Sequence, residues 1–216
     1  MNRRNKKFIL FCFIIFVLGI VVINADTVTV TAAATGSVNP ATANASVQTN
    51  TVNGDFTITD TSGLNRLIGD GADEATNWVF NFGSDPDVND FSIDDTLTSA
   101  MLTLTLTPGT PLNTDAVLLN GLSSVRSPVF ANLVPADGTT TVQIELLDYY
   151  TSESIMQKFE EDNYAQIGAY YADDAIVSFA ELELVAVVTP PTFAVPELQT
   201  FAMLAFCLAG VFAYKR

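Results

Sequence analysis

Two apolar runs, residues 8–23 and 198–214, stand at the ends of this 216-residue chain and leave a single stretch between them for a water-soluble core. That stretch is long enough for one medium-sized domain. The 49% apolar content overstates how hydrophobic the body is, because the excess lies in the two terminal runs. Four basic residues, Arg3, Arg4, Lys6 and Lys7, precede the first run, which is the pattern of a secretory signal. Ala25 offers a small residue and Ile23 an aliphatic one at the positions a signal peptidase reads. The sequence therefore predicts a signal peptide over 1–25, with Asp26 as the new N-terminus, and secretion machinery and signal peptidase as partners. An uncleaved signal anchor is the alternative. Cys12 sits inside the run with no small-residue box before it, which argues against a lipoprotein anchor.

Charge is as unevenly spread as hydrophobicity. Lys215 and Arg216 follow the last apolar run, so only Arg66, Arg126 and Lys158 of the nine basic residues fall in the body. All 24 acidic residues lie beyond residue 25, and the net charge is −15. A field of that sign repels nucleic acid and anionic lipid and leaves cations or neutral glycans as easier partners. The acid also serves simply to keep a domain soluble. Cys12 and Cys207 both lie in the apolar runs, so the body can form no internal disulfide. The chain has no histidine, which removes the usual general base, the His-activated nucleophiles and the commonest zinc ligand.

The C-terminal run begins just after Val195-Pro196-Glu197. As a helix rising ~1.5 Å per residue, residues 198–214 cover ~26 Å, the short end of a membrane span. Lys215 and Arg216 favour a cytoplasmic end, so the body falls on the outer side of the inner membrane, where the signal peptide also sends it. Pro196 keeps a helix from extending outward. This motif, span and basic end together resemble the PEP-CTERM sorting domain. The resemblance covers about residues 194–216 and includes Thr200, Ala202 and Met203; Leu198 stands where the family usually has a second proline. It implies processing by an exosortase, a membrane-embedded transpeptidase-like enzyme, in bacteria that make extracellular polysaccharide. A plain C-terminal anchor is the alternative.

Between the ends, period-2 alternation predicts strands over 27–31, 55–59, 78–82, 99–107 and 175–188, with further candidates over 117–119, 125–129 and 140–147. Ala100, Leu102, Leu104 and Leu106 fall on one side of 99–107 and threonines on the other. Along 175–188 the even positions, Ile176 among them, form the apolar face, with Glu181 and Glu183 opposite. One helix is predicted over 152–162, capped by Thr151 or Ser152, with Ile155, Met156 and Phe159 at helical spacing. Acids at its C-terminal end oppose the helix dipole and suggest a loosely held surface helix. The expected fold class is all-β: a jelly-roll-like β-sandwich ectodomain with one short helix, flanked by the signal peptide and a transmembrane helix. The expected organisation is signal peptide 1–25, a Thr/Ala/Asn-rich strand and linker 26–54, sandwich 55–189, and a proline spacer with sorting tail 190–216.

Candidate sites follow from side-chain chemistry. Asp85, Asp87, Asn89 and Asp90 place oxygen ligands in a turn and suit a structural Ca²⁺, although Asp90 and Thr96 depart from the EF-hand pattern; a solvated acidic loop is the alternative. Asp70 and Asp73-Glu74 form a weaker group. Asp173-Asp174 and Glu160-Glu161-Asp162 are the pairs a carboxylate hydrolase would draw on. Trp78, Tyr149, Tyr150, Tyr164, Tyr170 and Tyr171 could stack on sugar rings, but within each tyrosine pair of a strand one partner has to face away. No residue is assigned a catalytic role and no cofactor beyond Ca²⁺ is implied. The expected function is an exported, non-enzymatic cell-surface or extracellular-matrix protein, passing through a membrane-anchored intermediate and associated with extracellular polysaccharide. A lectin-like carbohydrate-binding module, stabilised by Ca²⁺, is the competing expectation.

Overall fold

The computed structural model describes residues 26–63, 67–92, 95–112, 114–134, 138–161 and 165–188. The predicted signal peptide, the 198–214 span, Val195, Pro196, Glu197, Lys215 and Arg216 lie outside them. Among the described residues no helix is long and apolar enough to cross a membrane.

Strict alternation builds the longest strands. In β7 (Thr96–Pro108), Ala100, Leu102, Leu104 and Leu106 are all fully buried, while Thr103 and Thr105 stay partly exposed. β7 pairs antiparallel with β11 (Ala175–Val188) on one side and β9 (Thr140–Glu145) on the other. β1 (Asp26–Thr35) lies beside β11 and completes a four-stranded sheet, β1-β11-β7-β9. A five-stranded antiparallel sheet runs in the order β3 (Asn50–Asn53), β4 (Phe56–Asp60), β6 (Glu74–Asn81), β10 (Gln166–Asp173) and β8 (Ala116–Leu119). β2 (Ala43–Asn44) and β5 (Leu67–Ile68) form a small third sheet. From β6 onward each strand lies in the other large sheet from the one before it. Phe56, Trp78, Phe80 and Ile167 from one sheet share a single apolar cluster with Leu102, Leu104, Leu182 and Leu184 from the other.

Several expectations are corrected. The first strand runs on into the stretch expected as linker: β1 extends to Thr35, and Ala32 and Ala34 are buried in the shared core along with Val30 of the expected strand. On β11, a register shift between Val177 and Phe179 turns Val177 inward, fully buried, and leaves Ile176 partly exposed; alternation alone cannot show such a bulge. The segment 125–129 is not a strand. Val125 makes one isolated bridge to Val117, and helix α1 (Pro128–Ala131) follows. Pro128 has no N–H to give a ladder and suits the first turn of a helix, where the Ser127 hydroxyl accepts the Val129 N–H at 3.2 Å. Among the described residues the body thus carries two α-helices where one was expected.

The second, α2 (Ser152–Glu161), is also not loosely held. Ile155, Met156 and Phe159 are buried, and the Phe159 ring packs 5.4 Å from Phe82 and 5.2 Å from Phe91. Thr151 caps it, its hydroxyl accepting from Ser154 N–H at 3.2 Å, while the Ser152 hydroxyl accepts from the Leu97 N–H of β7 at 2.8 Å. The two hydroxyls weighed as caps therefore divide the work, one ending the helix and one fastening it to a strand.

Candidate functional site

β6 faces two ways. Trp78 and Phe80 point into the core, so Asn77, Val79 and Asn81 point out of the five-stranded sheet. Register then sets their neighbours: Thr57 of β4 lies opposite Asn77, and on β10 Gln166 lies opposite Asn81 and Gly168 opposite Val79. Thr57, Asn77, Val79, Asn81 and Gln166 line an open groove of about 560 Å³ together with Asp55, Asn120 and, from β1, Ala33.

Gly168 decides the shape of one wall. A methyl group there would lie 2.2 Å from Asn120 Nδ2 and 2.9 Å from its Cγ. Only a residue without a side chain lets the Asn120 amide lie across β10, and the Asn120 N–H donates to the Gly168 carbonyl at 2.9 Å. Asn81 Oδ1 accepts from Gly83 N–H at 3.0 Å, and Asp55 Oδ2 accepts from Thr35 N–H at 2.8 Å, so these two are fixed by the backbone. The side-chain amides of Asn77, Asn120 and Gln166 make no hydrogen bond among the described residues. Trp78 also contributes to the groove, and its indole Nε1 is buried without a partner among the described residues.

The aromatic residues do not form a platform on the described surface. Trp78 is core, in edge-on contact with Phe56 and Phe80 at 5.6 and 5.8 Å. Tyr150 and Tyr171 are buried; their neighbours are the outward members, Tyr149 being exposed and Tyr170 half-buried. Tyr164 lies outside the described residues.

The acidic residues behave mainly as turn clamps. Asp85 Oδ2 accepts from Thr31 N–H and Oδ1 from Asp87 N–H, at 2.8 and 2.9 Å, tying the 85–90 turn to β1. Asp87 leads into the 3-10 turn Val88–Asp90, in which Asn89 and Asp90 are exposed. Asp85, Asp87 and Asp90 do not converge. The carboxylates that do gather, within 4.8 Å of one another among the described residues, are Asp73, Asp173 and Asp174. Asp174 accepts from Asp73 N–H at 3.0 Å and from the Thr110 hydroxyl, and Asp173 from the Thr114 hydroxyl at 3.0 Å. These bonds hold the β10–β11 turn against two loops. Glu160 is exposed on α2, while Asp162 falls outside the described residues.

Two acids lie deeper. Glu74 accepts from the N–H groups of Gly69, Asp70 and Gly71, yet burial pushes its carboxyl above the usual range. Asp115 accepts from Tyr171 Oη at 2.7 Å and Asp174 N–H at 2.9 Å; burial, then the charges of Asp174 and Asp173, raise its carboxyl too. The Tyr171 hydroxyl is raised for the same reasons, burial first and Asp115 next.

Compared with known protein families and curated proteins, the chain matches no family model and no curated sequence. Apart from Trp78, which was a stacking candidate, the groove residues were not singled out from the sequence. The one local signal for them is the alternation Asn77-Trp78-Val79-Phe80-Asn81, which puts two amides on the face away from the core.

Proposed function

We propose that this chain is an exported, non-enzymatic cell-surface or extracellular-matrix protein, sorted by an exosortase-type system and associated with extracellular polysaccharide. The observation that carries this reading is the match between the folded body and its expected processing points. The compact body spans Thr27–Val188, starting next to the Ala25–Asp26 cleavage site and ending just before the Pro190-Pro191 spacer. The strands that build its core run from Asp26 to Val188. Strands that alternate between two sheets around one core support a jelly-roll-like sandwich. The signal peptide over 1–25, the span over 198–214 and the Lys215-Arg216 end supply the route: translocation, a membrane-anchored intermediate, then release to the surface or matrix.

A second reading, a carbohydrate-binding module, is favoured by the polar groove over β4, β6 and β10. Its walls carry amides where an aromatic platform was the expected signature. The carboxylate pairs sit in turns and are engaged by backbone and hydroxyl donors, which supports binding or structural roles over hydrolysis.

The export reading is tested by N-terminal sequencing of the protein recovered from the cell envelope. Chains beginning at Asp26 are expected. Chains beginning at Met1 and recovered with the cytosol would overturn it.

A further inference from the structure

Apart from the Asp55 carboxylate at one margin, which accepts from the Thr35 N–H, the polar side chains of the groove are uncharged groups that can both give and take hydrogen bonds. A side-chain amide presents a carbonyl acceptor beside two N–H donors, and a sugar hydroxyl is likewise donor and acceptor at once. Asn77, Asn120 and Gln166 hold these groups toward the groove without spending them on protein partners. Val79, 51% exposed on the groove floor, adds an apolar contact of the kind the C–H face of a sugar ring needs. The volume of about 560 Å³ falls in the range of small-ligand sites.

Charge and sheet geometry narrow the ligand. A chain with a net charge of −15 repels polyanions, which disfavours acidic polysaccharide and nucleic acid. A peptide usually docks by adding a strand to an open edge. Here the groove lies over β4, β6 and β10, and β6 and β10 are each already paired on both sides. We infer that this groove binds a neutral, hydroxyl-rich glycan chain, with Asn77, Asn120 and Gln166 as its hydrogen-bonding contacts and Gly168 as the residue that positions Asn120. The inference rests on the carbohydrate-binding reading above and is independent of how the tail is processed.

The test is affinity electrophoresis of the full-length protein in detergent through gels containing dextran, galactomannan or mixed β-glucan, with alginate and a mixed peptide pool as comparisons. At least one neutral polysaccharide should retard the protein. Asn120→Ala, Gln166→Ala and Gly168→Ala should each weaken that retardation about tenfold, the scale of one or two lost hydrogen bonds. Thr103→Ala, on the outer face of the other sheet, should leave it unchanged. Matched thermal melts separate lost contacts from lost folding; Asn77→Ala replaces any variant that melts early. Retardation by alginate or peptides alone, no retardation by any neutral polysaccharide, or equal retardation of wild type and groove variants would each overturn the inference. None of these results bears on whether Asp26 is the mature N-terminus, so the two proposals fail separately.

Discussion

Asp115 is 2% exposed, and while its Oδ2 accepts two hydrogen bonds its Oδ1 is buried with no partner among the described residues. A carboxylate in that position is costly when ionised, and the charges of Asp174 and Asp173 add to the cost of burial. Its folded-state carboxyl is therefore raised above the ordinary 3.8. The folded state then holds the proton more tightly than the unfolded one, so stability grows as pH falls from neutrality through the raised value and stops growing below 3.8. Glu74, also raised by burial, acts in the same direction. Glu145 acts in the opposite one. Burial would raise it, but bonds from Ser99 Oγ and the N–H groups of Ala100 and Leu147 outweigh burial and lower it. Its contribution is present above 4.5 and is lost as pH falls through its lowered value. Asp115→Asn keeps one oxygen for Tyr171 and Asp174 while removing the charge. This variant should melt at a higher temperature than wild type at neutral pH. Its melting temperature should also rise less on acidification to about pH 5. An unchanged pH profile in the variant would show that Asp115 is not the source. Little of this was legible in the sequence. Asp115 stands alone in a loop and draws no attention there, whereas the crowded Asp85–Asp90 run invites a metal at sequence level, and the backbone bonds that Asp85 accepts from Thr31 and Asp87 show only in the fold.

At the scale of elements, packing decides more than local pattern. Acids at its end made α2 look weakly held, yet three buried side chains and the Phe82–Phe159–Phe91 ring contacts fix it to the core. Phe159→Ala should cost about 3–5 kcal/mol, read as a lower denaturant midpoint at unchanged slope. A loss below about 1 kcal/mol would mean the helix is a loose surface excursion after all. Strands with clean alternation, β7 above all, were legible because one buried face imposes period two. β10 was not. Ile167, Gly168 and Ala169 are all buried in succession, because Asn120 covers the outer face at Gly168, so no alternation appears. The bulge in β11 was hidden for a related reason. It exists only relative to its partner β7.

For the whole molecule, the sequence is most informative at its ends and the structure in its middle. The apolar runs, the basic flanks and Val195-Pro196-Glu197 are contiguous signals that no folding is needed to assemble. The groove is the reverse case: Thr57, Asn77, Asn120 and Gln166 are far apart in the chain and meet only through β4–β6–β10–β8 pairing. The proposed sorting of this body to the surface by its tail joins the two halves. It is tested most directly by fractionating cells with and without the exosortase-type enzyme and following the protein's mass and location. A shorter form is expected at the surface or in the matrix when the enzyme is present, and a longer form retained in the inner membrane when it is absent. Identical size and location in both strains would contradict it and reduce the tail to a plain anchor.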